Sequence, residues 1–396
     1  MRFLSTRCLG GLLLAGLTGC PGITNPPADE LLDGNQDASL TSPLGKTSGE
    51  PNGSFSNPIV VVFNHLLRAA LQGTVSERDD LDVFLVGHLR AADRIVIETA
   101  SDGSNLDASI ALFDAAGRVM AVNDDRCDDP TNLQCYDAEI DFVTRHDSPD
   151  SYLVVTGSAF ALPGRRMGTY TVNLKIHPDT PVPSPRSQTL LLDFDGATLS
   201  SDVLGFRTLD AFDAERIHPI YRGRTEDIKR VIRDTMEQNY ERFNVIVLTS
   251  DETPPPGTMV STVFFGGFNA TAFGLAETVD LYNVEFCDDA IIYAESFSPE
   301  VFSVPPTATG LGIAIGNVAT HEAGHLLGLN HVSHDLDIMD DRSHADAFLE
   351  DQEFMESDLS TDIMAIGTQD GVLLLLETVG PAASSAPPPT GTQPRR

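Results

Sequence analysis

The chain has 396 residues, of which 58 are acidic and 25 basic, for a formal charge of −33. That balance argues against nucleic acid as a partner, because phosphate recognition needs basic patches and none is present, and against adhesion to anionic lipid through charge. With 41% hydrophobic residues the chain can build two or three cored domains, and no window reaches the roughly 18 consecutive apolar residues of a membrane span.

Arg2 and Arg7 flank the start of a short apolar stretch, Leu9 to Leu17, and the chain then reads Leu17-Thr18-Gly19-Cys20. A basic start, a brief hydrophobic core and small residues before a break describe an export signal over 1–19, not a span. The quartet resembles the lipobox of bacterial lipoproteins. That resemblance implies that Cys20 receives lipid and becomes the mature N-terminus, so that the membrane is reached through this lipid only. An ordinary signal with a coincidental Cys is the alternative. Pro21 stands where inner-membrane retention goes with Asp, which points to the outer membrane or cell surface of a bacterium.

Residues 20–57 are rich in Pro, Gly, Ser, Asn and Asp and read as a disordered tether. From 58 to 177 the text changes to short β-type runs: Asp82–Val86, Ile95–Thr99, Ile110–Phe113, Val119–Val122, Ile140–Val143, Tyr152–Thr156 and Thr169–Ile176. The last alternates, with Tyr170, Val172, Leu174 and Ile176 on one face. Turn residues between such runs predict an all-β sandwich. LDVFLV at 81–86, DASIALFDAAGRVMAVNDD at 107–125 and GTYTVNLKI at 168–176 resemble the bacterial pre-peptidase C-terminal domain. The resemblance implies an accessory module, in some members calcium-stabilised. Asp124, Asp125, Asp128 and Asp129 could supply oxygen ligands to Ca2+, or form a solvated acidic loop.

Export fits the cysteines. Cys127 and Cys135 sit in one polar loop, where an oxidising compartment allows a disulfide staple and a zinc pair is the competing reading. Cys287 has no evident partner and reads as a buried thiol.

A proline-rich linker spans 178–187, and beyond it strand and helix alternate. Thr189–Phe194, Val245–Leu248, Val260–Phe265, Gly274–Tyr282 and Ala290–Ala294 are strand candidates. Residues 225–243 place Ile228, Val231, Ile232, Met236, Tyr240 and Phe243 on one helical stripe, with Thr225 as N-cap. A second helix is predicted from Leu311 to Leu327. The order describes an α/β unit over 188–380, followed by a disordered low-complexity tail, 381–396.

Residues 321–331 read HEAGHLLGLNH. On a helix His321 and His325 lie one turn apart and aim at the same spot, as zinc binding requires. Gly328 can take positive φ and end the helix, so that the chain turns back and offers His331 as third ligand. Glu322 suits a general base that takes a proton from zinc-bound water as it attacks a peptide carbonyl. Chance supplies these five positions in roughly 10⁻⁵ to 10⁻⁴ of chains of this length. His65, His88, His146, His177 and His218 are isolated and read as surface or satisfied core residues, while His334 and His344 break the spacing.

The pattern resembles that of the metzincin zinc endopeptidases, HExxHxxGxxH followed by a Met-turn, with spacing close to the matrixin branch. The resemblance implies that Met339, in Asp337-Ile338-Met339-Asp340, floors the zinc site; Met364 is the rival. It implies an α/β metzincin-like unit acting on protein or peptide substrate, with GLAETVDLY at 274–282 in the place of the edge strand that receives it. Asp340 and Asp341 stand where other branches have a zinc-binding Tyr, so no such ligand is expected, and no propeptide cysteine switch is present. The rival reading is a surface adhesion or binding protein with a non-catalytic metal site. Glu322 argues against it, because a structural site has no use for that carboxylate. If the cleft shares the overall negative sign, cationic or neutral peptides approach more readily than acidic ones.

Overall fold

The computed structural model describes residues 45–46, 52–101, 103–126, 133–341 and 344–382. The signal, Cys20, most of the tether, Cys127, Asp128, Asp129 and the tail from 383 lie outside the described residues.

The N-terminal unit is built from two five-stranded sheets. One contains β1 (Gly45–Lys46), β3 (Arg68–Val75), β5 (Arg94–Ala100), β8 (Glu139–Val143) and β10 (Gly168–His177), in the order β1-β3-β10-β5-β8. The other contains β2 (Ile59–Val60), β4 (Asp82–Leu89), β6 (Ala108–Phe113), β7 (Val119–Asn123) and β9 (Ser148–Gly157), in the order β2-β4-β9-β6-β7. Apart from the short β1 and β2, pairing is antiparallel. Ile95, Ile97, Tyr170 and Val172 of the first sheet meet Phe84, Ile110, Leu153 and Val155 of the second in one core. All seven sequence-predicted strands are present, each extended by a residue or more. Strand β3 was not foreseen: RAALQGTV is poor in β-branched residues, and of its eight side chains only Leu71 and Val75 are buried.

The C-terminal unit opens with β11 (Gln188–Asp193), followed by a hairpin of β12 (Thr198–Ser201) and β13 (Gly205–Thr208). Helices α1 (Ala214–Ile217) and α2 (Thr225–Asn239) lead into β14 (Val245–Thr249), β15 (Val260–Phe265), β16 (Gly274–Ala276) and β17 (Asp289–Ile292). Helix α3 (Ala308–Leu326), a small ladder of β18 (Glu356–Asp358) and β19 (Thr368–Asp370), and α4 (Gly371–Thr378) complete it. The main sheet runs β14-β11-β15-β17-β16, parallel except for β16, which lies antiparallel to β17 at the edge.

Two expectations are corrected. Strand β16 stops at Ala276, well short of Tyr282. Beyond it Asp280 accepts the backbone N–H of Glu285, and Tyr282 and Asn283 adopt positive φ, which turns the chain out of the sheet. Thr225 does not cap α2; Arg224 holds that position without a side-chain bond. The Thr225 hydroxyl is engaged elsewhere, donating to Asp213 and accepting from Ala214 N–H, and so ties α2 to α1.

The two units are joined by more than the linker. Tyr282 stacks on Phe142 of the sandwich with ring centroids 5.6 Å apart, and the Arg145 guanidinium lies 3.9 Å over the Tyr282 ring. Leu359 and Met364 pack against Val83, Phe113 and Val154 in a buried cluster. His146 Nδ1 reaches Glu377 Oε1 at 3.0 Å. The linker itself is pinned: Thr180 N–H donates to Ala92 O, Arg145 donates to Pro183 O, and Arg186 N–H donates to Thr378 O. Among the described residues no helix is long and apolar enough to cross a membrane.

Candidate metal centre

Helix α3 carries the site and is buried around nearly its whole circumference. Two small residues let it approach α2: a Cβ on Gly312 would sit 2.6 Å from Val231 Cβ, and one on Gly316 2.7 Å from Thr235 Cβ. Thr307 caps its start by accepting Gly310 N–H. At its end Gly328 takes φ +92°, while Gly328 N–H donates to His325 O and Leu329 N–H to Gly324 O. This reversal brings His331 back over the last turn.

The three imidazoles converge. His325 Nε2 lies 3.1 Å from His321 Nε2 and 3.0 Å from His331 Nε2, and the remaining pair is 3.2 Å apart. All three residues are buried. His321 Nδ1 meets Ile338 O and His325 Nδ1 meets Leu329 O, both at 2.7 Å. A carbonyl only accepts, so Nδ1 carries the proton on both rings and Nε2 presents a lone pair. Burial, with the neighbouring imidazoles, lowers the pKa values of His321 and His331 well below the usual range, and burial brings His325 to about 4. Two Nε2 lone pairs with a third imidazole nitrogen within 3.2 Å suit a shared cation. Tetrahedral zinc with bonds of about 2.0–2.1 Å holds nitrogens about 3.3 Å apart, so the donor set fits. Among the described residues no other His, Cys, Asp or Glu group gathers this way.

Glu322, also buried, lies against the sheet edge. A Cβ on Gly274 of β16 would lie 2.6 Å from Glu322 Cγ, so the carboxylate occupies space that only glycine leaves open. Burial raises its pKa to about 8, opposed by the Ala276 backbone N–H.

Met339 is fully buried beneath the last helical turn, where a Cβ on Gly324 would meet its sulfur at 2.6 Å. Two positioning groups have no sequence signal. Asp337 accepts Met339 N–H at 2.9 Å and the Ser357 hydroxyl at 2.7 Å, which fixes the turn; burial pushes its pKa up to about 6. Gln369 clamps Asn330, accepting its N–H at 2.7 Å and donating to its carbonyl at 2.8 Å, and so anchors the residue before His331. Only the packed structure brings 337 to 357 and 330 to 369.

Other candidates lie elsewhere. Met364 belongs to the cluster between the units, and His334 and His344 are exposed. Cys135 and Cys287 are both disulfide-bonded, which corrects the expectation of a buried thiol at 287; Cys127, the other half of the expected staple, lies outside the described residues. Asp124 Oδ2 accepts the Ser158 hydroxyl, and among the described residues the acidic loop forms no metal-holding group, so calcium gains no support.

No family model matches the chain, and no curated protein matches it. Among solved structures, archaemetzincin from Methanopyrus kandleri is similar over 42% of this chain and 87% of its own, at 12% identity and TM-score 0.25. A zinc-dependent peptidase from Methanocorpusculum labreanum is similar over 42% and 93%, at 12% identity and TM-score 0.27. The pre-peptidase C-terminal domain of Bacillus anthracis collagenase is similar over 30% and 94%, at 18% identity and TM-score 0.20. At these TM-scores the likenesses carry neither fold nor chemistry to this chain.

Proposed function

We propose that the chain is an exported zinc endopeptidase of metzincin type, anchored through lipid on Cys20, with the sandwich as its accessory module. The observation that carries this reading is the convergence of His321, His325 and His331 with Glu322 held buried against the edge strand β16. Zinc bound by the three Nε2 atoms would supply a Lewis acid for a peptide carbonyl and lower the pKa of a nearby water.

The protein's own groups do the rest. Strand β16 pairs with β17 at the edge of the sheet, so an extended peptide can lie along it, with the Ala276 N–H already turned to Glu322. Glu322, one residue from a ligand and beside that strand, takes the proton of the attacking water and delivers it to the departing amine. Asp337 and Met339 keep the floor of the site fixed.

The test compares the chain lacking residues 1–20 with its Glu322→Ala variant. Both should bind one zinc, and only the first should cleave a denatured protein. Equal cleavage by both, or none by either across varied protein substrates, would defeat the reading.

A further inference from the structure

A cleft of about 410 Å³ runs between the two units and reaches His325 and His331. One wall is the C-terminal unit, with Val279 and Leu281 just past the edge strand and Asp362 beside them; the other is the sandwich. The lining carries five carboxylates, Asp124, Asp125, Glu139, Asp141 and Asp362, against one guanidinium, Arg126. Arg126 is itself engaged, 2.9 Å from Glu139 and 3.9 Å from Glu98, and Asp141 is held by Arg94 through two bonds, so that the carboxylates still outnumber the guanidiniums that meet them. The cleft therefore shares the negative sign of the whole chain.

Apolar groups share this lining: Phe160 on the sandwich and Val279 and Leu281 on the C-terminal unit, with Leu281 itself packed against the sandwich core. Such a mixture suits a long cationic side chain, whose methylene stem lies on apolar surface while its head meets carboxylates. An acidic side chain in the same place would face like charge in a partly desolvated cleft.

We infer that the sandwich is the far wall of the substrate cleft and that this cleft selects peptides bearing Lys or Arg close to the scissile bond. The inference rests on the endopeptidase reading above and assigns the sandwich a part in specificity.

The experiment uses the zinc-loaded chain lacking residues 1–20 and a set of quenched-fluorescent peptides that differ only by Lys or Glu at single positions flanking one cleavage site. At one or more of these positions kcat/KM should favour Lys over Glu by roughly tenfold at low salt, and the ratio should shrink as salt rises. In Asp124→Asn on the sandwich wall and Asp362→Asn, exposed on the opposite wall, the ratio should move towards one; in Asp362→Lys it should fall further. A wild-type ratio near one at every position, or a ratio that none of the three variants changes, overturns the inference while leaving the peptidase intact. Absence of cleavage of every peptide by the wild type, with denatured protein also uncut, overturns the endopeptidase reading and this inference with it.

Discussion

Two buried ionisable sites, one in each folded unit, are built in different ways. In the sandwich, Asp82 accepts from Asn52 and Tyr170, so a carboxyl that burial pushes up is met by donors from its own unit. In the C-terminal unit, three neutral imidazoles face one another at 3.0–3.2 Å, and a carboxyl raised to about 8 stands beside them. The first arrangement satisfies a buried group and holds two strands together; the second leaves lone pairs aimed at a common point and needs a ligand to complete it. The convergence of the three imidazoles, which no other group among the described residues repeats, marks the site.

The sharpest way to break this contrast is to remove one lone pair. His331→Ala should abolish both zinc retention and peptide cleavage, read by metal analysis and turnover. Tight zinc retention in that variant would mean that the triad is not the metal centre. Next in size, Gly274→Ala should drive Glu322 from its place, since the new Cβ needs the space of its side chain. A displacement of this kind costs on the order of 10²-fold in turnover. Zinc stoichiometry should stay unchanged, which distinguishes a displaced carboxyl group from a lost metal.

The two methionines sharpen the same comparison. Met339 and Met364 are each buried, so truncation of either to Ala should destabilise the protein by about 2–5 kcal/mol, measured by denaturant unfolding. Only Met339→Ala should also weaken zinc binding, by roughly 10–100-fold, because it lies under the helical turn that carries His325. Equal zinc affinity in the two variants would remove the Met-turn role from Met339.

How much of this was legible follows from where each signal resides. Alternating side chains such as Tyr170, Val172 and Leu174 announce β10 because one face of that strand is buried. The spacing of 321, 325, 328 and 331 announces the site because helix pitch and one positive φ suffice to bring three rings together. Strand β3 was silent because its pairing partners, not its own side chains, hold it in the sheet. The clamp of Gln369 on Asn330 and the stacking of Tyr282 on Phe142 were silent because residues 39 and 140 positions apart share no local pattern. For the same reason the sequence presents the sandwich as an appendage, whereas it forms one side of the cleft.

The contact between the units can be tested by pH. His146, an isolated histidine in the sequence, lies 3.9 Å from Asp114 of its own unit and 3.0 Å from Glu377 of α4. The Asp114 carboxylate and then Glu377 raise its pKa from 6.5 to about 9. Burial pushes Asp114 up, but His146 and Arg118 outweigh it and bring it to about 2. A raised histidine contributes stability that is fully present below pH 6.5 and lost as pH rises through about 9. The lowered Asp114 contributes stability above its ordinary 3.8, lost as pH falls through about 2. With 34% of the His146 side chain exposed, screening trims its share to about 1 kcal/mol. His146→Gln should therefore lower Tm near pH 6 by a few degrees and leave it little changed near pH 10, so that the two melting curves converge across that window. Other groups titrate there too, among them Asp280 at about 7 and Asp288 at about 8, but they are common to both proteins and cancel in the difference. A Tm difference that stayed constant from pH 6 to 10 would show that His146 acts by packing, not by charge.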